Sequence, residues 1–285
     1  MQVFEQIFQQ KYFSGIKFSD ERERQVFLSY IKGFMLLLLD SKVNKILEIG
    51  GGQSTALLAT LGDCLGWELF TIDMNPDAIA LKIRSHSMSD AILKKIHFRK
   101  GLSISTYQIG DYYASELSMI GSIGFADAVR HSRHFIDTTM DARRAPKVAE
   151  ALGLIDFSAD DVIEEIVRSN RLTQKLLDVF KTPGNEFEYQ DKGNESLQAC
   201  LQDVMKSESI DAVFLDSGEF SSLPEWDIVE KNLRPGGYVI LHDIFFPKSF
   251  KNWLVCGAIM ANSSYETLYI DRSTPQGLMV AQKKY

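Results

Sequence analysis

Short apolar runs alternate with helical patterns over residues 43–96 and again from residue 187 onward, which predicts an α/β fold on a mostly parallel sheet. Two further observations sharpen this into a doubly wound sheet with helices on both faces. The run Lys45-Ile46-Leu47-Glu48-Ile49 ends directly in Gly50-Gly51-Gly52, where a strand must turn tightly into a helix. The runs Tyr265–Ile270 and Leu278–Gln282 are joined by a Ser-Thr-Pro-Gln-Gly loop and read as a closing hairpin, which makes the last strand antiparallel.

Taken in order, residues 1–42 read as a helical segment, with Phe27, Leu28, Ile31 and Leu36 to Leu39 as its apolar positions. Residues 43–96 give strand, glycine turn, helix, a second strand at Trp67–Asp73, and a helix opening near Pro76. The alternation resumes with a strand at Phe187–Gln190 and a helix at Asn194–Met205. The strongly apolar strand Ala212–Leu215 follows, then a helix at Pro224–Asn232 and, after the turn Arg234-Pro235-Gly236-Gly237, the strand Tyr238–Leu241. Residues 97–185 do not fit this rhythm. Beyond Ile96–Arg99 they show no convincing strand, and Ser158-Ala159-Asp160-Asp161 resembles a capped start before Ile163, Ile166, Val167, Leu176 and Phe180 at near-helical spacing. The expected organisation is an N-terminal helical segment (1–42), a ligand-binding domain (43–96 and 186–285), and a largely helical insertion (97–185) serving as a lid or dimer surface.

The 285 residues suffice for a sizeable core, and the net charge of −7 argues against a nucleic-acid or anionic-membrane partner, since both call for a basic face. Cys64, Cys200 and Cys256 are odd in number and widely spaced, which implies no disulfide framework and fits a reducing cytoplasm. Phe34–Leu39 is too short to span a bilayer, and the N-terminus lacks a signal-peptide pattern. The expectation is a soluble cytoplasmic protein.

The chemistry begins at the glycine turn. Glycine tolerates positive φ and has no Cβ, so backbone there can lie against a ligand, and the new helix offers unpaired N–H groups. A dinucleotide fingerprint needs glycine at the first, third and sixth positions; counting from Gly50, the third is Gly52 but the sixth is Thr55. Glu48, just before the turn, does not suit a phosphate. It suits a cationic or hydroxyl-rich ligand, which points to S-adenosylmethionine over a dinucleotide or a purely structural turn. Asp73 ends the second strand, where an acid accepts hydrogen bonds from both ribose hydroxyls. Adjacent parallel strands bring these two places to one crevice.

On Leu47-Glu48-Ile49-Gly50-x-Gly52-x-Ser54, Thr71-Ile72-Asp73-Met74-Asn75-Pro76-Asp77 and Val213-Phe214-Leu215-Asp216, the chain resembles the class I S-adenosylmethionine-dependent methyltransferases. It is most similar to the catechol O-methyltransferase-like branch and the related small-molecule O-methyltransferases. The resemblance covers residues 40–95 and 186–285 and implies a Rossmann-like, seven-stranded, mostly parallel sheet whose last strand, at Gly277-Leu278-Met279-Val280, is antiparallel. It implies that Glu48, Gly50 and Gly52 line the methionine end, that Asp73 holds the ribose, that Glu195 or Ser196 lies near the adenine, and that Gly51, Ser54 and Met74 also bind the cofactor. Asp216 ends the most apolar strand beside this cofactor.

In that branch, acids at the ends of two neighbouring strands and an Asn or Asp after the second bind a magnesium-like ion. Asp216 and Asp243 stand at these two places, and hard cations want oxygen ligands. The third place is Ile244, which cannot bind a metal, so Glu219 or an Asp from the insertion would have to complete the site. The branch's lysine base falls at Glu219 here, so His242, with a near-neutral pKa, is the expected base beside Asp216 and Glu219. Arg130-His131-Ser132-Arg133-His134, with Asp137 and Asp141 nearby, reads as a basic patch before a metal site.

The implied activity is methyl transfer to a small-molecule hydroxyl, with S-adenosylmethionine as cofactor and Mg2+ as an optional aid. A methyltransferase fold acting on nitrogen, or with no catalysis, is a second class; a nicotinamide oxidoreductase is a third, disfavoured by Thr55 and Glu48. Tyr107, Tyr112, Tyr113, Phe125 and Phe135 fit an aromatic-walled acceptor pocket or plain core packing, and an exposed helical insertion fits a homodimer.

Overall fold

The computed structural model describes residues 18, 20–37, 40, 42–85, 90–114, 118–137, 197–246 and 248–285. Among the described residues the strands are β1 (Lys45–Ile49), β2 (Glu68–Asp73), β3 (Ile96–Lys100), β4 (Met119–Ile120), β5 (Ile123–Gly124), β6 (Ala212–Leu215), β7 (Tyr238–His242), β8 (Tyr265–Asp271) and β9 (Leu278–Lys283). Its α-helices are α1 (Glu21–Met35), α2 (Gln53–Leu65), α3 (Pro76–Ser85), α4 (Asp90–Leu93), α5 (Thr106–Ala114), α6 (Phe125–Ser132), α7 (Leu201–Ser207), α8 (Ser222–Asn232) and α9 (Trp253–Ala261).

Seven strands form one sheet in the order β3-β2-β1-β6-β7-β9-β8. The pairings β1–β2, β2–β3, β1–β6 and β6–β7 are parallel, whereas β9 runs antiparallel to both β7 and β8. The expected mostly parallel sheet with an antiparallel last strand is therefore present. That strand lies one place in from the edge, with β8 outside it. The chain order reverses between β1 and β6, which opens a crevice at their carboxyl ends.

The side-chain period of two divides the core cleanly. Ile46, Leu69, Phe214, Ile240 and Val280 face a layer built by α1 to α4. Leu47, Ile72, Val213, Leu215 and Leu241 face the opposite layer of α5 to α9. Burial on both faces explains the near-continuous apolar runs of β1, β6 and β7. Helix α1 starts where Asp20 Oδ1 accepts the Glu23 N–H at 2.8 Å, a side-chain N-cap, and Glu21 and Glu23 suit the helix dipole. Its buried face carries Phe27, Tyr30, Ile31 and Phe34. Helix α9 is apolar nearly all round because it is buried against α6. A Cβ on Gly257 would stand 2.0 Å from the Ala128 carbonyl oxygen, so only glycine permits that approach.

The sequence reading differs from the structure in the middle of the chain. The third strand of the sheet on the β2 side is Ile96–Lys100; the strand expected at Phe187–Gln190 lies outside the described residues. Residues 97–114 and 118–137, expected within the insertion, belong to the main core. Ile109, Tyr113, Ala128, Val129 and Phe135 are fully buried in it. Helical periodicity cannot tell a helix that covers a sheet from one that stands apart. The hairpin β4–β5 was also too short to see as a pattern. Residues 138–185, including the capped start at Ser158, lie outside the described residues, as do residues 1–17 and the start of the expected helix at Asn194. Described α7 begins at Leu201. No described helix is long and apolar enough to cross a membrane.

Candidate active site

At the crevice, β1 hands over to α2 through Gly50, whose φ of +85° is left-handed. A Cβ there would lie 2.4 Å from the Asp216 carbonyl oxygen, so the turn passes hard against the end of β6. Gly52, with extended backbone, has open space around it. Glu48 lies beneath the turn and does not border the crevice. Its fully buried carboxylate accepts hydrogen bonds from the hydroxyls of Ser54 (2.6 Å), Thr55 (2.7 Å) and Thr71 (3.0 Å). Burial raises its pKa from 4.5 to about 7 against the pull of those three donors. Glu48 and Ser54 thus brace the turn from behind. Proximity in sequence to a glycine turn places a side chain near the crevice but not on its surface, because successive residues of β1 face opposite layers.

A cavity of about 330 Å3 occupies the crevice. Among the residues expected to bind cofactor, Gly50, Gly51, Asp73, Met74 and Asp216 line it; Glu48, Gly52 and Ser54 do not. Asp73 accepts the Gly51 N–H at 3.0 Å on one oxygen and the Asn75 N–H at 2.7 Å on the other. The far wall is Gly101-Leu102-Ser103, which follows β3. Glu195 and Ser196, expected near the adenine, lie outside the described residues; Ala199, a little further on, pairs with the wall residue Leu102. Buried Glu225 accepts hydrogen bonds from Ser103 and Ser217 and ties opposite walls together from below. Burial raises its pKa too.

Asp216, His242 and Asp243 come together at the ends of β6 and β7, as the sequence led us to expect, and a residue that the sequence reading missed joins them. Lys251 Nζ stands 3.0 Å from Asp216 Oδ1 and 2.9 Å from Asp243 Oδ2, and it lines the cavity. Burial alone would lower the Lys251 pKa, but the two carboxylates outweigh it and hold the ammonium charged well above the usual range. Burial likewise acts to raise Asp216, and Lys251 and His242 outweigh it, so this carboxyl sits well below the usual range.

His242 is buried and does not line the cavity. Its Nδ1 is 3.2 Å from Asp216 Oδ1 and 3.6 Å from Asp243 Oδ2. Facing two carboxylates, Nδ1 carries the proton and donates to Asp216. Burial pushes the His242 pKa down, but Asp216 and Asp243 more than reverse that. The Tyr30 hydroxyl, reaching in from α1, lies 3.2 Å from Asp216 Oδ2 and 3.3 Å from His242 Nδ1. Instead of standing at the mouth of the crevice as a base, His242 holds Asp216 from behind. Neutral preference near pH 7 says nothing about which side of a carboxylate an imidazole occupies.

Glu219 does not meet the other acids as a ligand. Its oxygens accept from the Ser249 hydroxyl (3.1 and 3.0 Å) and from the backbone N–H groups of Phe250 (2.8 Å) and Lys251 (3.2 Å). It therefore clamps the loop that delivers Lys251. Burial raises its pKa against those donors. The lysine absent from position 219 thus returns from a place 35 residues after Asp216, on a loop pinned by the residue that replaced it. No spacing rule reports such a pairing; the only sign was a second Lys in Pro-Lys-Ser-Phe-Lys after β7.

The residues present do not fit a divalent ion. Asp216, His242 and Asp243 each offer an atom within 4.8 Å of the others, yet both carboxylates already bind the Lys251 ammonium. Ile244, at the usual third place, is fully buried in the core. His131 and His134 join no metal-capable cluster among the described residues, and Asp141 lies outside them. Arg130 pairs with Asp127 at the surface. Of the aromatics weighed as acceptor walls, Tyr113 and Phe135 are core residues, Tyr107 is exposed, and none of the five borders this cavity.

No family model and no curated protein matches the chain. Solved structures overlap it loosely along its whole length. One is a Klebsiella pneumoniae protein described provisionally as an O-methyltransferase, at 12% identity and a TM-score of 0.42 over 100% of this chain and 91% of that one. Another is the O-methyltransferase from Bacillus cereus in complex with SAH, at 13% identity and 0.41 over the same shares. A third is TomG from Streptomyces achromogenes, an O-methyltransferase involved in tomaymycin synthesis, in complex with SAM, at 13% and 0.40, again over 100% and 91%.

Proposed function

We propose that this chain is an S-adenosylmethionine-dependent methyltransferase acting on a small-molecule hydroxyl. The observation that carries the reading is how the turn spends its N–H groups and what surrounds it. The Gly51 N–H goes to Asp73 and the Gly52 N–H to Thr55 Oγ1, so neither is free to cradle a pyrophosphate. Asp73 and Asp216 then border the cavity with carboxylate, which repels phosphate and attracts a sulfonium and an amino group. The engaged turn N–H groups also weaken the nicotinamide alternative, which needs them for its pyrophosphate.

The reaction is an in-line displacement. The acceptor oxygen attacks the methyl carbon, the S–CH3 bond breaks with its electron pair left on sulfur, and the hydroxyl proton passes to water. The chain's task is to hold donor and acceptor aligned in the crevice, and such positioning supplies roughly 7–11 kcal/mol of a barrier of this kind. Lys251, a cation at the cavity wall, lowers the pKa of an acceptor hydroxyl beside it and so favours the loss of its proton.

Calorimetric titration tests the cofactor. Adenosylmethionine and adenosylhomocysteine are expected to bind one site per chain, and Asp73→Ala to abolish measurable binding. Binding of NADH without adenosylmethionine would refute the reading. Release of adenosylhomocysteine across a panel of hydroxyl and amine compounds then separates oxygen from nitrogen acceptors.

A further inference from the structure

The acids that a methyltransferase of the resembled branch would use for a metal are engaged here by the chain itself. Lys251 Nζ lies within 3.0 Å of one oxygen from each of Asp216 and Asp243, on the cavity wall, with its side chain 18% exposed. Three independent features hold it there. Glu219 takes the Phe250 and Lys251 backbone N–H groups. Asn252, the next residue, donates to the carbonyls of Leu215 (3.0 Å) and His242 (2.6 Å) and so ties the loop to the ends of β6 and β7. Asp243 adopts a left-handed φ of +56°, uncommon for any residue with a side chain, and its carboxylate meets the ammonium from that conformation. A surface ion pair needs none of these. Among the described residues, His242 and Tyr30 lie directly against Asp216, and the buried acids Glu48, Glu219 and Glu225 act on the cluster from further off.

We propose that Lys251 is the resident cation of this site: its ammonium occupies the position between Asp216 and Asp243 that a divalent ion would take, and the chemistry there runs without metal. The methyl-transfer consequence rests on the proposed function; the cation assignment does not. Mn2+ carries two charges and needs several oxygen ligands, so it must displace the ammonium to enter. Removing the ammonium leaves two carboxylates facing each other, which is a site a divalent ion can use.

The test is titration of the full chain with Mn2+ alone, read by calorimetry and by the electron paramagnetic signal of the free ion. The wild-type chain is expected to take up no Mn2+ at this site at millimolar concentration. Lys251→Met, which keeps the apolar stem, is expected to gain one site at least roughly tenfold tighter than anything in wild type. Lys251→Met with Asp243→Asn is expected to lose it again. Tight Mn2+ uptake by the wild type that Asp243→Asn abolishes overturns the proposal, and this holds even if the Lys251 variants fail to fold. Folded Lys251→Met that still takes up no Mn2+ overturns it as well, because the acids then do not converge on a cation position. Adenosylhomocysteine binding, measured on the same samples, reports separately on the proposed function. Binding alongside a contrary Mn2+ result sinks only the resident cation; the expected Mn2+ result without adenosylhomocysteine binding sinks only the methyltransferase.

Discussion

Glu48 shows how one residue changes meaning between chain and fold. In the chain it is an acid ahead of a glycine turn and reads as a ligand contact. In the structure it is a fully buried carboxyl held by Ser54, Thr55 and Thr71. Its folded pKa of about 7 stands above the ordinary 4.5, so the folded state keeps a proton that the unfolded chain gives up. The stabilisation is therefore complete below about pH 4.5 and is lost as the pH rises toward 7. Glu48→Gln does not titrate. Its stability relative to wild type is expected to rise by roughly 3 kcal/mol between pH 4.5 and 7.5, at 1.36 kcal/mol per pKa unit. Urea denaturation of both proteins across that range gives the difference directly. Parallel curves would mean that Glu48 keeps an ordinary pKa.

Helix α1 is the element whose role the sequence least announced. It covers the sheet with Phe27, Ile31 and Phe34, and it also sends Tyr30 to the acids at the ends of β6 and β7. The Tyr30 ring packs edge-on against Phe214 at 5.5 Å, and its hydroxyl is one of the groups that hold Asp216. Tyr30→Phe keeps the ring and removes a hydrogen bond to a charged acceptor, a loss of about 1.5–3 kcal/mol. The expected outcome is a lower urea midpoint with an unchanged slope, and unaltered adenosylmethionine affinity, because Tyr30 does not line the cavity. A large fall in affinity at full stability would assign α1 to the binding site itself. The loop of residues 249–251 works in the opposite sense. It anchors itself by burying Phe250 against Phe220 and Trp253, and it carries Lys251 to the acids.

At the scale of the whole molecule, the proposed cofactor site is coupled to folding because its crevice is made by strand ends that meet only in the native sheet. Adenosylhomocysteine at one hundred times its dissociation constant is expected to raise the unfolding free energy by about 2.7 kcal/mol. Thermal unfolding with and without the ligand measures this, and the shift should vanish in Asp73→Ala. An unshifted transition at saturating ligand would show that the native crevice is not the binding site. The strands β1, β2, β6, β7 and the β8–β9 hairpin were legible in advance, since they are apolar runs between turn signals, whereas their order in the sheet was not. Local chemistry also announced Gly50, Asp73, Asp216 and Asp243, because strand ends in a parallel sheet face one crevice whatever surrounds them. Three things needed the tertiary structure: that Ile96–Lys100 completes the sheet, that α5 and α6 belong to the core, and that Lys251 stands between two acids. Each depends on contacts between segments far apart in the chain. A strand is marked by its own residues, but the partner of a buried charge is chosen by packing, and packing leaves no periodic trace in the sequence.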